Sequence, residues 1–360
     1  MLIPWGYASG LIESFTSLMV CAESKGCRGE PQVVHNGAHR GQKCKPKDMK
    51  HPSWTVADMG DQRNIIVLVT GANSGLGLAS AQAFAGSGAQ VLLACRNLER
   101  GNAALDQVTA VATGAAPQLI ELDLADFESV ERASQQVAES VGHLDVLLNN
   151  AGVMALPLRR TAQGHEMQFG TNHLGHFALT ARLLPLLLAS QKARVVTTSS
   201  GAHRIGKMRW QDLDWQKDYQ KWPAYGQSKL ANLMFSFELE RQAVAAKTTL
   251  SSMAAHPGYA STHLQAAGPE LAGQALMGRV MAAGNKVFAQ SAAQGALPQL
   301  FAATSPEAVG GCYYGPSGLG EMRGNPQLVQ ATSSALKTEE WAKLWSASEE
   351  LTGLIFNWPK

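Results

Sequence analysis

The sequence predicts a single α/β domain built on a doubly wound, mostly parallel sheet with helices on both faces. From Ile65 onward, short apolar segments rich in β-branched residues alternate with segments of helical apolar spacing. Strands that are continuously apolar are typical of a parallel sheet that is covered on both faces. Residues 60–355 contain neither an internal repeat nor a linker, so this part of the 360-residue chain is expected to fold as one unit.

The strand candidates are spaced so that a helix fits between most of them. They cover residues 65–69, 91–94, 119–122, 146–148, 195–198 and 250–254, and Tyr313-Tyr314 is expected to form part of a seventh. The segment around Trp341 and Trp345 predicts a C-terminal helix packed on the domain. Because ligands of such sheets bind at the carboxyl ends of the strands, the motifs that follow the strands are the candidate site.

Composition and charge exclude several classes of protein. With 45% hydrophobic and 16% charged residues, the chain is too apolar for a disordered protein, and no run reaches the roughly 18 apolar residues of a membrane span. Five cysteines do not suggest a disulfide scaffold, which favours a reducing, cytoplasmic location. The net charge of +2 is concentrated in residues 1–50, so no nucleic-acid partner is expected.

Residues 1–58 are expected to form a poorly structured extension, and residues 59–360 the folded domain. Residues 1–20 are apolar but contain Glu13 and lack a preceding basic region, so they match a secretory signal poorly. Membrane attachment through them is not expected, although peripheral attachment stays open as an alternative. The cysteines and histidines of this segment lack the short spacing of a structural zinc site. A native start at Met49 is a further alternative.

A glycine-rich loop, Thr70-Gly71-Ala72-Asn73-Ser74-Gly75-Leu76-Gly77, follows the first strand candidate and precedes a helix. Glycines permit a tight turn and a close approach of backbone to phosphate, and the N-terminus of the next helix offers free N–H groups. The spacing TGxxxGxG differs from the GxGxxG fingerprint of dinucleotide-binding loops. The position between strand and helix nevertheless favours a nucleotide-binding loop over ordinary turn glycines.

The end of the second strand candidate bears on the choice of cofactor. An NAD site places an acidic residue there, about 20 residues beyond the loop, to bind the ribose 2′-hydroxyl. This chain has Cys95 followed by Arg96, and a guanidinium suits a 2′-phosphate. The sequence therefore predicts NADP(H) in preference to NAD(H), unless Arg96 is only a solvated surface residue.

Tyr225 and Lys229 are four residues apart, which places them on one face of a helix. A tyrosine hydroxyl has a pKa near 10, too high for a base at neutral pH. A cation about 5 Å away is expected to lower that pKa by roughly two units. Such a pair can deliver or accept a proton at a carbonyl or alcohol oxygen. The same spacing also occurs in surface helices, so the prediction depends on the surrounding motifs.

Those motifs resemble the short-chain dehydrogenase/reductase family, and within it the retinol-dehydrogenase-like branch, over about residues 60–355. They are TGANSGLG at 70–77, ACR at 94–96, LDL at 122–124, NNAG at 149–152, TNHLGHF at 171–177, SSGAH at 199–203, AYGQSKLANL at 224–233 and HPGYAST at 256–262. The resemblance implies a Rossmann-type sheet. It also implies an NADP(H)-dependent oxidoreductase that interconverts a lipophilic carbonyl and its alcohol by hydride transfer.

The resemblance also implies roles for individual residues. Tyr225 matches the general acid/base, Lys229 its pKa-lowering partner and cofactor-ribose ligand, and Ser200, rather than Ser199, the hydrogen-bond partner of the substrate oxygen. Asn172 matches the residue that orders a water in the proton relay. The implied cofactor-binding residues are Gly71, Asn73, Ser74, Gly75, Leu76, Gly77, Arg96, Asp123, Leu124, Asn150, Ala151, Gly152, Tyr225, Lys229, Pro257, Gly258 and Thr262.

Some features are less specific. Trp210, Trp215 and Trp222 lie in a long segment between the SSGAH and AYGQSK motifs, where they are expected either to wall a hydrophobic substrate cleft or to belong to a satellite core. Residues 264–287 correspond to the segment that covers the substrate in the family and are expected to act as a lid. His165, His173 and His176 have no carboxylate or cysteine companions, so no metal site is expected.

Two rival functions remain open. One is a non-catalytic NADP(H)-binding sensor or scaffold with the same fold, which the intact set of Asn172, Ser200, Tyr225 and Lys229 disfavours. The other is a light-driven or otherwise specialised reductase of a large ring substrate. By analogy with the family, a homo-oligomer formed through the helices that carry TNHLGHF and YGQSK is a further expectation.

Overall fold

The computed structural model describes residues 53–259 and 290–359. Thr262 and the expected lid at 264–287 lie outside these ranges, as does most of the expected N-terminal extension. Trp54 and Met59 are buried in the core, and the Trp54 ring packs edge-on against Phe301 at 5.5 Å between centroids. The folded domain therefore includes residues 54–58, which the sequence assigned to the extension.

One eight-stranded sheet forms the centre of the domain. Its strands are β1 (Ile66–Thr70), β2 (Gln90–Cys95), β3 (Gln118–Glu121), β4 (Val146–Asn149), β5 (Arg194–Thr198), β6 (Ser251–Ala255), β7 (Tyr313–Pro316) and β8 (Pro326–Leu328). They lie in the order β3-β2-β1-β4-β5-β6-β7-β8. The first seven strands pair in parallel and β8 pairs antiparallel to β7. The predicted fold class is confirmed, whereas β8 had no counterpart in the sequence analysis.

Helices cover both faces of the sheet. They are α1 (Gly75–Gly86), α2 (Leu98–Thr109), α3 (Phe127–Ser140), α4 (Met167–Phe169), α5 (Gly175–Ala189), α6 (Lys221–Ala245), α7 (Ala292–Thr304) and α8 (Thr338–Thr352). One core contains side chains from α1, α2 and α7, and the opposite face is packed by α3, α5, α6 and α8. Across the two described ranges, every helix is too short or too polar to span a membrane.

The strands are apolar at successive positions, and this fits their environment, because helices cover both faces of the sheet. In β1, Val67 and Val69 lie in the core on the α1 side, and Leu68 lies in the core on the α3 side. All three are essentially inaccessible to solvent. Burial of this kind stabilises the fold by about 1.5–3 kcal/mol for each large side chain. Because β1, β4, β5 and β6 pair in parallel, their carboxyl ends lie at one edge of the sheet.

The C-terminal helix α8 packs on the helices that carry the TNHLGHF and YGQSK motifs. Trp345 stacks on Phe235 of α6 at 5.8 Å between centroids and meets Phe177 of α5 edge-on at 5.1 Å. Phe356, beyond α8, contacts Phe177 as well. The chain's own C-terminal segment thus covers Phe177 and Phe235 on the face through which pairing with a second copy was expected.

Two cysteines fall within the described ranges. Cys95 is a buried free thiol at the end of β2, and burial raises its pKa to about 11. Cys312, directly before β7, is buried as well.

Candidate active site

A cleft of about 400 Å³ opens at the carboxyl ends of β1, β4, β5 and β6. The loop after β1 forms one end of it, and the helix α6 and the loops after β5 and β6 form the other. Its lining contains Gly71, Asn73, Ser74, Gly75, Leu76, Gly77, Asn150, Ala151, Gly152, Ser200, Tyr225, Lys229, Pro257 and Gly258. Fourteen residues that the sequence singled out therefore meet in one place.

The glycine loop is shaped to bring backbone N–H groups to the cleft. Gly71 and Gly75 have positive φ angles of 66° and 55°, which favour glycine. A Cβ on Gly77 would overlap the carbonyl oxygen of Gly71 and lie 2.7 Å from Asn150 Nδ2. Helix α1 begins at Gly75, and its N-cap Ser74 makes no side-chain cap. The first N–H groups of α1 are thus left to a ligand, as a phosphate-binding helix N-terminus requires.

The hydroxyl of Thr70 ties this loop to the rest of the site. Thr70 Oγ1 accepts hydrogen bonds from the backbone N–H groups of Asn150 and Ala151 at 2.9 and 3.0 Å. It also lies 2.9 Å from His176 Nε2. Asn150 Nδ2 donates to the Thr70 carbonyl at 2.8 Å. We call Thr70, Asn150, Ala151 and His176, together with Asn172, the Thr70 network.

His176 links the Thr70 network to Asn172. Its Nδ1 lies 2.9 Å from the Asn172 carbonyl oxygen, which can only accept, so Nδ1 carries the hydrogen. Burial lowers the pKa of His176 to about 4, and the ring is therefore neutral at pH 7. Nε2 is then an acceptor for the Thr70 hydroxyl, with the Leu148 carbonyl, 3.1 Å from that hydroxyl, as the competing acceptor.

Asn172 is buried behind the cleft and does not line it. It lies in the π-helical turn Gly170–Leu174, between α4 and α5. Its Nδ2 donates to the Val153 carbonyl and to Ser228 Oγ, both at 2.9 Å, and its Oδ1 accepts from the Val153 N–H at 2.7 Å. Gly152 separates it from the cleft, because a Cβ there would lie 3.0 Å from Asn172 Oδ1 and 3.4 Å from Lys229 Nζ.

The other end of the cleft contains Ser200, Tyr225 and Lys229. Ser200 is the N-cap of the 3-10 turn Gly201–Ile205, which follows β5, and its side chain is close enough to Tyr225 to act on the pKa of that phenol. Lys229 Nζ donates to the Thr198 carbonyl at 3.0 Å and lies 6.0 Å from the centre of the Tyr225 ring. Helical spacing thus places Tyr225 and Lys229 side by side, as the sequence predicted.

The predicted lowering of the pKa of Tyr225 is not found in the structure. Burial raises the pKa of Tyr225 to about 12, although the hydrogen bond with Ser200 acts in the opposite direction. Burial also lowers the pKa of Lys229 to about 8. Desolvation of a phenol that is almost completely enclosed dominates its pKa, and residue spacing does not indicate desolvation. Tyr225 is therefore protonated at neutral pH, and Lys229 is largely charged.

Ser199 and Ser200 are oriented differently. Ser199 Oγ is buried and donates to the Lys229 carbonyl at 2.8 Å, so its hydrogen is used within the protein. Ser200 Oγ accepts from the Ala202 N–H at 3.2 Å, which leaves its hydrogen available. Ser200 is thus the serine of the pair that meets Tyr225.

Three predicted cofactor residues lie outside the lining of the cleft. Arg96 is exposed after β2, with its Nη1 4.0 Å from Asp123 Oδ2. Asp123 is half-buried after β3, and its Oδ1 accepts from the Ala125 N–H at 3.0 Å. Leu124 is buried beneath α5, where a Cβ on Gly175 would overlap its carbonyl oxygen. Arg96 and Asp123 are close to each other on the side of the glycine loop away from Tyr225.

Five residues that line the cleft had no predicted role. They are Met154, Thr198, Ser199, Ala202 and Tyr259. Tyr259 belongs to the HPGYAST motif, directly after the predicted Pro257-Gly258, and Met154 lies two residues after the NNAG motif. The motif positions therefore already pointed to Tyr259, and Met154 lay just beyond one.

The three tryptophans between the SSGAH and AYGQSK motifs have separate places. Trp222 lines the cleft, with its ring 6.4 Å from that of Tyr225 and nearly perpendicular to it. Trp210 donates to Glu340 at 2.7 Å and lies under Lys343 of α8. Trp215 is buried under Arg209. Trp222 therefore agrees with the cleft-wall interpretation, and the other two agree with packing.

The histidines near the site have protein partners. His165 Nδ1 lies 3.0 Å from Asp214, and His173 Nε2 lies 2.8 Å from Ser348 Oγ. Within residues 53–259 and 290–359, His, Cys, Asp and Glu side chains form no group of three that could hold a metal ion.

Comparison with known proteins places the chain in a family. Residues 65–270 match the family model described as short chain dehydrogenase. Retinol dehydrogenase 14 of Mus musculus is 36% identical over 310 residues, which span 83% of this chain and 89% of the relative. Retinol dehydrogenase 12 of Mus musculus is 36% identical over 291 residues, which span 80% and 86%.

Solved structures agree with these sequence relatives. An uncharacterised protein from Mycobacterium paratuberculosis shares 40% identity at a TM-score of 0.69, covering 84% of this chain and 99% of that one. A short chain dehydrogenase from Shigella flexneri 2a, solved in complex with NADP, shares 25% identity at a TM-score of 0.56, covering 71% and 97%. The family binds a nicotinamide cofactor, and the glycine loop and the free N-terminus of α1 fit its phosphates. The chain is a member of the short-chain dehydrogenase family, in its retinol-dehydrogenase-like branch, and is an oxidoreductase that acts on CH–OH groups.

Proposed function

We propose that this chain is an NADPH-dependent reductase of lipophilic aldehydes or ketones, with Tyr225 as the proton donor. The observation that carries the proposal is the meeting of the half-buried Ser200, the buried Tyr225 and the buried Lys229 at one end of the cleft. A tyrosine that keeps its proton at neutral pH, as this one does, is suited to give that proton to an oxygen that gains negative charge.

Ser200, Tyr225 and Lys229 each have a separate role at the carbonyl oxygen of the substrate. The Ser200 and Tyr225 hydroxyls donate hydrogen bonds to this oxygen and stabilise the charge that develops on it. When bound, the nicotinamide supplies the hydride for the carbonyl carbon. Tyr225 then transfers its proton to the oxygen, and the charge of Lys229 stabilises the phenolate that remains. After the transfer, Lys229 and Asn172 form the route by which Tyr225 regains a proton.

The lining of the substrate end supports a lipophilic substrate. Met154, Trp222 and Tyr259 present apolar or aromatic surface to the cleft beside Tyr225. Apolar walls around a few polar groups are typical of sites for small hydrophobic ligands. The names of the retinol dehydrogenase relatives agree with a long apolar alcohol or aldehyde.

Arg96 supports a preference for NADP(H). It is exposed at the end of β2, with Nη1 4.0 Å from Asp123 Oδ2, and a guanidinium in this place can bind a 2′-phosphate bidentately. We expect Arg96→Asp to raise the KM for NADPH by about 100-fold and to change the KM for NADH much less. Equal KM changes for the two cofactors would remove the basis for this preference.

Tyr225→Phe tests the proposed chemistry most directly. NADPH oxidation is measured with a panel of medium-chain aldehydes, retinoids and steroids. We expect the variant to lose about 1,000-fold in kcat, while its affinity for NADPH, measured by tryptophan fluorescence, changes far less. If the unmodified protein binds NADPH tightly but reduces no compound on the panel, a non-catalytic cofactor sensor is the better interpretation.

A further inference from the structure

Glu321 connects two loops that line the cleft. Its Oε2 accepts a hydrogen bond from Arg204 Nη2 at 2.8 Å and lies 3.1 Å from His256 Nε2. Arg204 belongs to the 3-10 turn that begins after Ser200, and His256 directly precedes Pro257. One carboxylate on the β7–β8 connection thus contacts both the β5 side and the β6 side of the cleft. We call Glu321, Arg204 and His256 the Glu321 clasp.

The imidazole of His256 is fixed in orientation. The Gly258 N–H donates to its Nδ1 at 3.2 Å, so Nδ1 is the acceptor and Nε2 carries the hydrogen. Nε2 lies 3.1 Å from Glu321 Oε2 but outside hydrogen-bond geometry. The ring is buried and packs on Tyr313 at 5.2 Å between centroids. Gly315 provides the space for it, because a Cβ there would overlap His256 Nε2.

The backbone beside Glu321 supports the Pro257–Tyr259 loop. The Met322 carbonyl accepts a hydrogen bond from the Tyr259 N–H at 2.8 Å. A Cβ on Gly258 would overlap that carbonyl and lie 2.8 Å from the Glu321 carbonyl. Glu321 itself has a φ of 57°, a left-handed conformation that a residue with a side chain adopts only when its surroundings hold it there.

An ion pair between Glu321 and Arg204 contributes to the Glu321 clasp. Burial alone would raise the pKa of Glu321, but its contacts with His256 and with the Arg204 guanidinium outweigh burial and keep that pKa below its usual value. Glu321 is therefore a carboxylate at neutral pH. Its side chain is 20% exposed and that of Arg204 is 43% exposed, so the pair contributes little to stability.

We infer that Glu321 is a positioning residue, which aligns the Ser200 turn with the Pro257–Tyr259 loop and so shapes the end of the cleft that contains Tyr225. It reaches the reacting groups only through Arg204 and His256. The inference rests on the proposed function for the identity of those groups. Its effect on the Pro257–Tyr259 loop can also be measured as cofactor affinity, without turnover.

Glu321→Gln keeps the shape of the side chain and removes its charge. We expect this variant to raise the Kd for NADPH, measured by quenching of tryptophan fluorescence, by about 10-fold, and to lower kcat by about 10-fold. We expect Tm to fall by no more than about 3 °C. Arg204→Gln should have similar effects, and the double variant should be no worse than either single variant, because all three break the same contact.

Two matched controls separate positioning from general damage. Glu139→Gln removes an exposed carboxylate from α3 and should change neither Kd nor kcat. Leu344→Ala destabilises the core under α8 by about 2–5 kcal/mol and should leave Kd unchanged at a temperature where the protein stays folded.

The possible results are distinguishable. If Glu321→Gln changes neither Kd nor kcat, or if its changes equal those of Leu344→Ala at matched stability, the inference is overturned. If the effects of Arg204→Gln and Glu321→Gln simply add, the clasp is not a unit and the inference is again overturned. A protein without turnover on any carbonyl would contradict the proposed function, while the Kd comparison would still decide the role of Glu321.

Discussion

The glycine loop after β1 and the Pro257–Tyr259 loop after β6 both line the cleft, but different interactions hold them. The glycine loop is tied down by the Thr70 network, whose members are buried or half-buried and, with His176 neutral, uncharged. The Pro257–Tyr259 loop is held by the Glu321 clasp, which is partly exposed and charged. One end of the cleft therefore depends on buried, uncharged hydrogen bonds, and the other depends on a partly exposed ion pair.

This difference shows how stability and alignment are divided between the two loops. A buried hydrogen-bond network is costly to break because each orphaned donor or acceptor keeps its full desolvation penalty. A partly exposed ion pair contributes little to the free energy of unfolding. We therefore expect changes in the Thr70 network to appear mainly as lost stability, and changes in the Glu321 clasp mainly as lost affinity and turnover.

Substitution of Gly77 should have the largest effect. In Gly77→Ala, the new Cβ would overlap the Gly71 carbonyl, a backbone atom that cannot move without the loop. A shift of about 1 Å in a positioning group can cost about 100-fold, so we expect the Kd for NADPH, measured by fluorescence, to rise by at least about 100-fold.

Gly142→Ala is the matched control. A Cβ on Gly142 meets nothing within 4 Å, and the residue follows α3, away from the cleft. It should leave the Kd for NADPH unchanged. A Gly77→Ala variant that binds NADPH as tightly as Gly142→Ala would show that the loop can relax and that the close approach to Gly71 is not required.

The sequence predicted the half of the site that is encoded locally. The glycine loop, the strand before it and the pairing of Tyr225 with Lys229 depend on residues within about one helical turn of each other, so periodicity and spacing indicate them. β1 was predicted within one residue at each end. Apolar runs of this kind are specified by burial on both faces, and burial is visible in the residue types themselves.

The other half depends on contacts between distant parts of the chain. Arg204 and Glu321 are 117 residues apart, and neither belongs to a pattern that requires the other. The antiparallel β8 is only three residues long and carries no alternation to detect. The pKa of Tyr225 was predicted in the wrong direction because desolvation depends on how completely the fold encloses the phenol. No sequence spacing contains that quantity.

Thr70→Val tests the Thr70 network and should have the second-largest effect. It keeps the shape of the side chain and removes the hydroxyl, so the N–H groups of Asn150 and Ala151 and the Nε2 of His176 lose a partner. We expect the free energy of unfolding, measured by urea denaturation, to fall by about 2–3 kcal/mol.

Thr70→Ser retains the hydroxyl and should recover most of that loss, apart from the contribution of one buried methyl group, about 1 kcal/mol. If Thr70→Val and Thr70→Ser lower the free energy of unfolding equally, the lost hydroxyl does not explain the decrease, and a change in packing or a shifted backbone would account for it. The Thr70 network would then have no special part in stability.

The smallest expected effect is a pH dependence that separates the two loops. The pKa of His176 falls from 6.5 to about 4 on folding, mainly through burial, so the unfolded chain binds more protons between these values. Stability contributed by neutral His176 is therefore complete above pH 6.5 and is lost as the pH falls towards 4. Between pH 6 and pH 5 this amounts to about 1 kcal/mol. The pKa of Glu321 lies below its usual value of 4.5, so the clasp is lost only at lower pH.

Urea denaturation of three proteins at pH 6 and pH 5 resolves this difference. The unmodified chain loses stability over this step through His176 and through His173 and His203, whose pKa values burial also lowers, to about 3 and about 4. His176→Gln should lose about 1 kcal/mol less over the same step, because one titrating group is gone. Glu321→Gln should match the unmodified chain, since Glu321 stays ionised throughout. An equal loss in the unmodified chain and in His176→Gln would mean that His176 is not held neutral, and the hydrogen-bond direction assigned to Thr70 would have to be reversed.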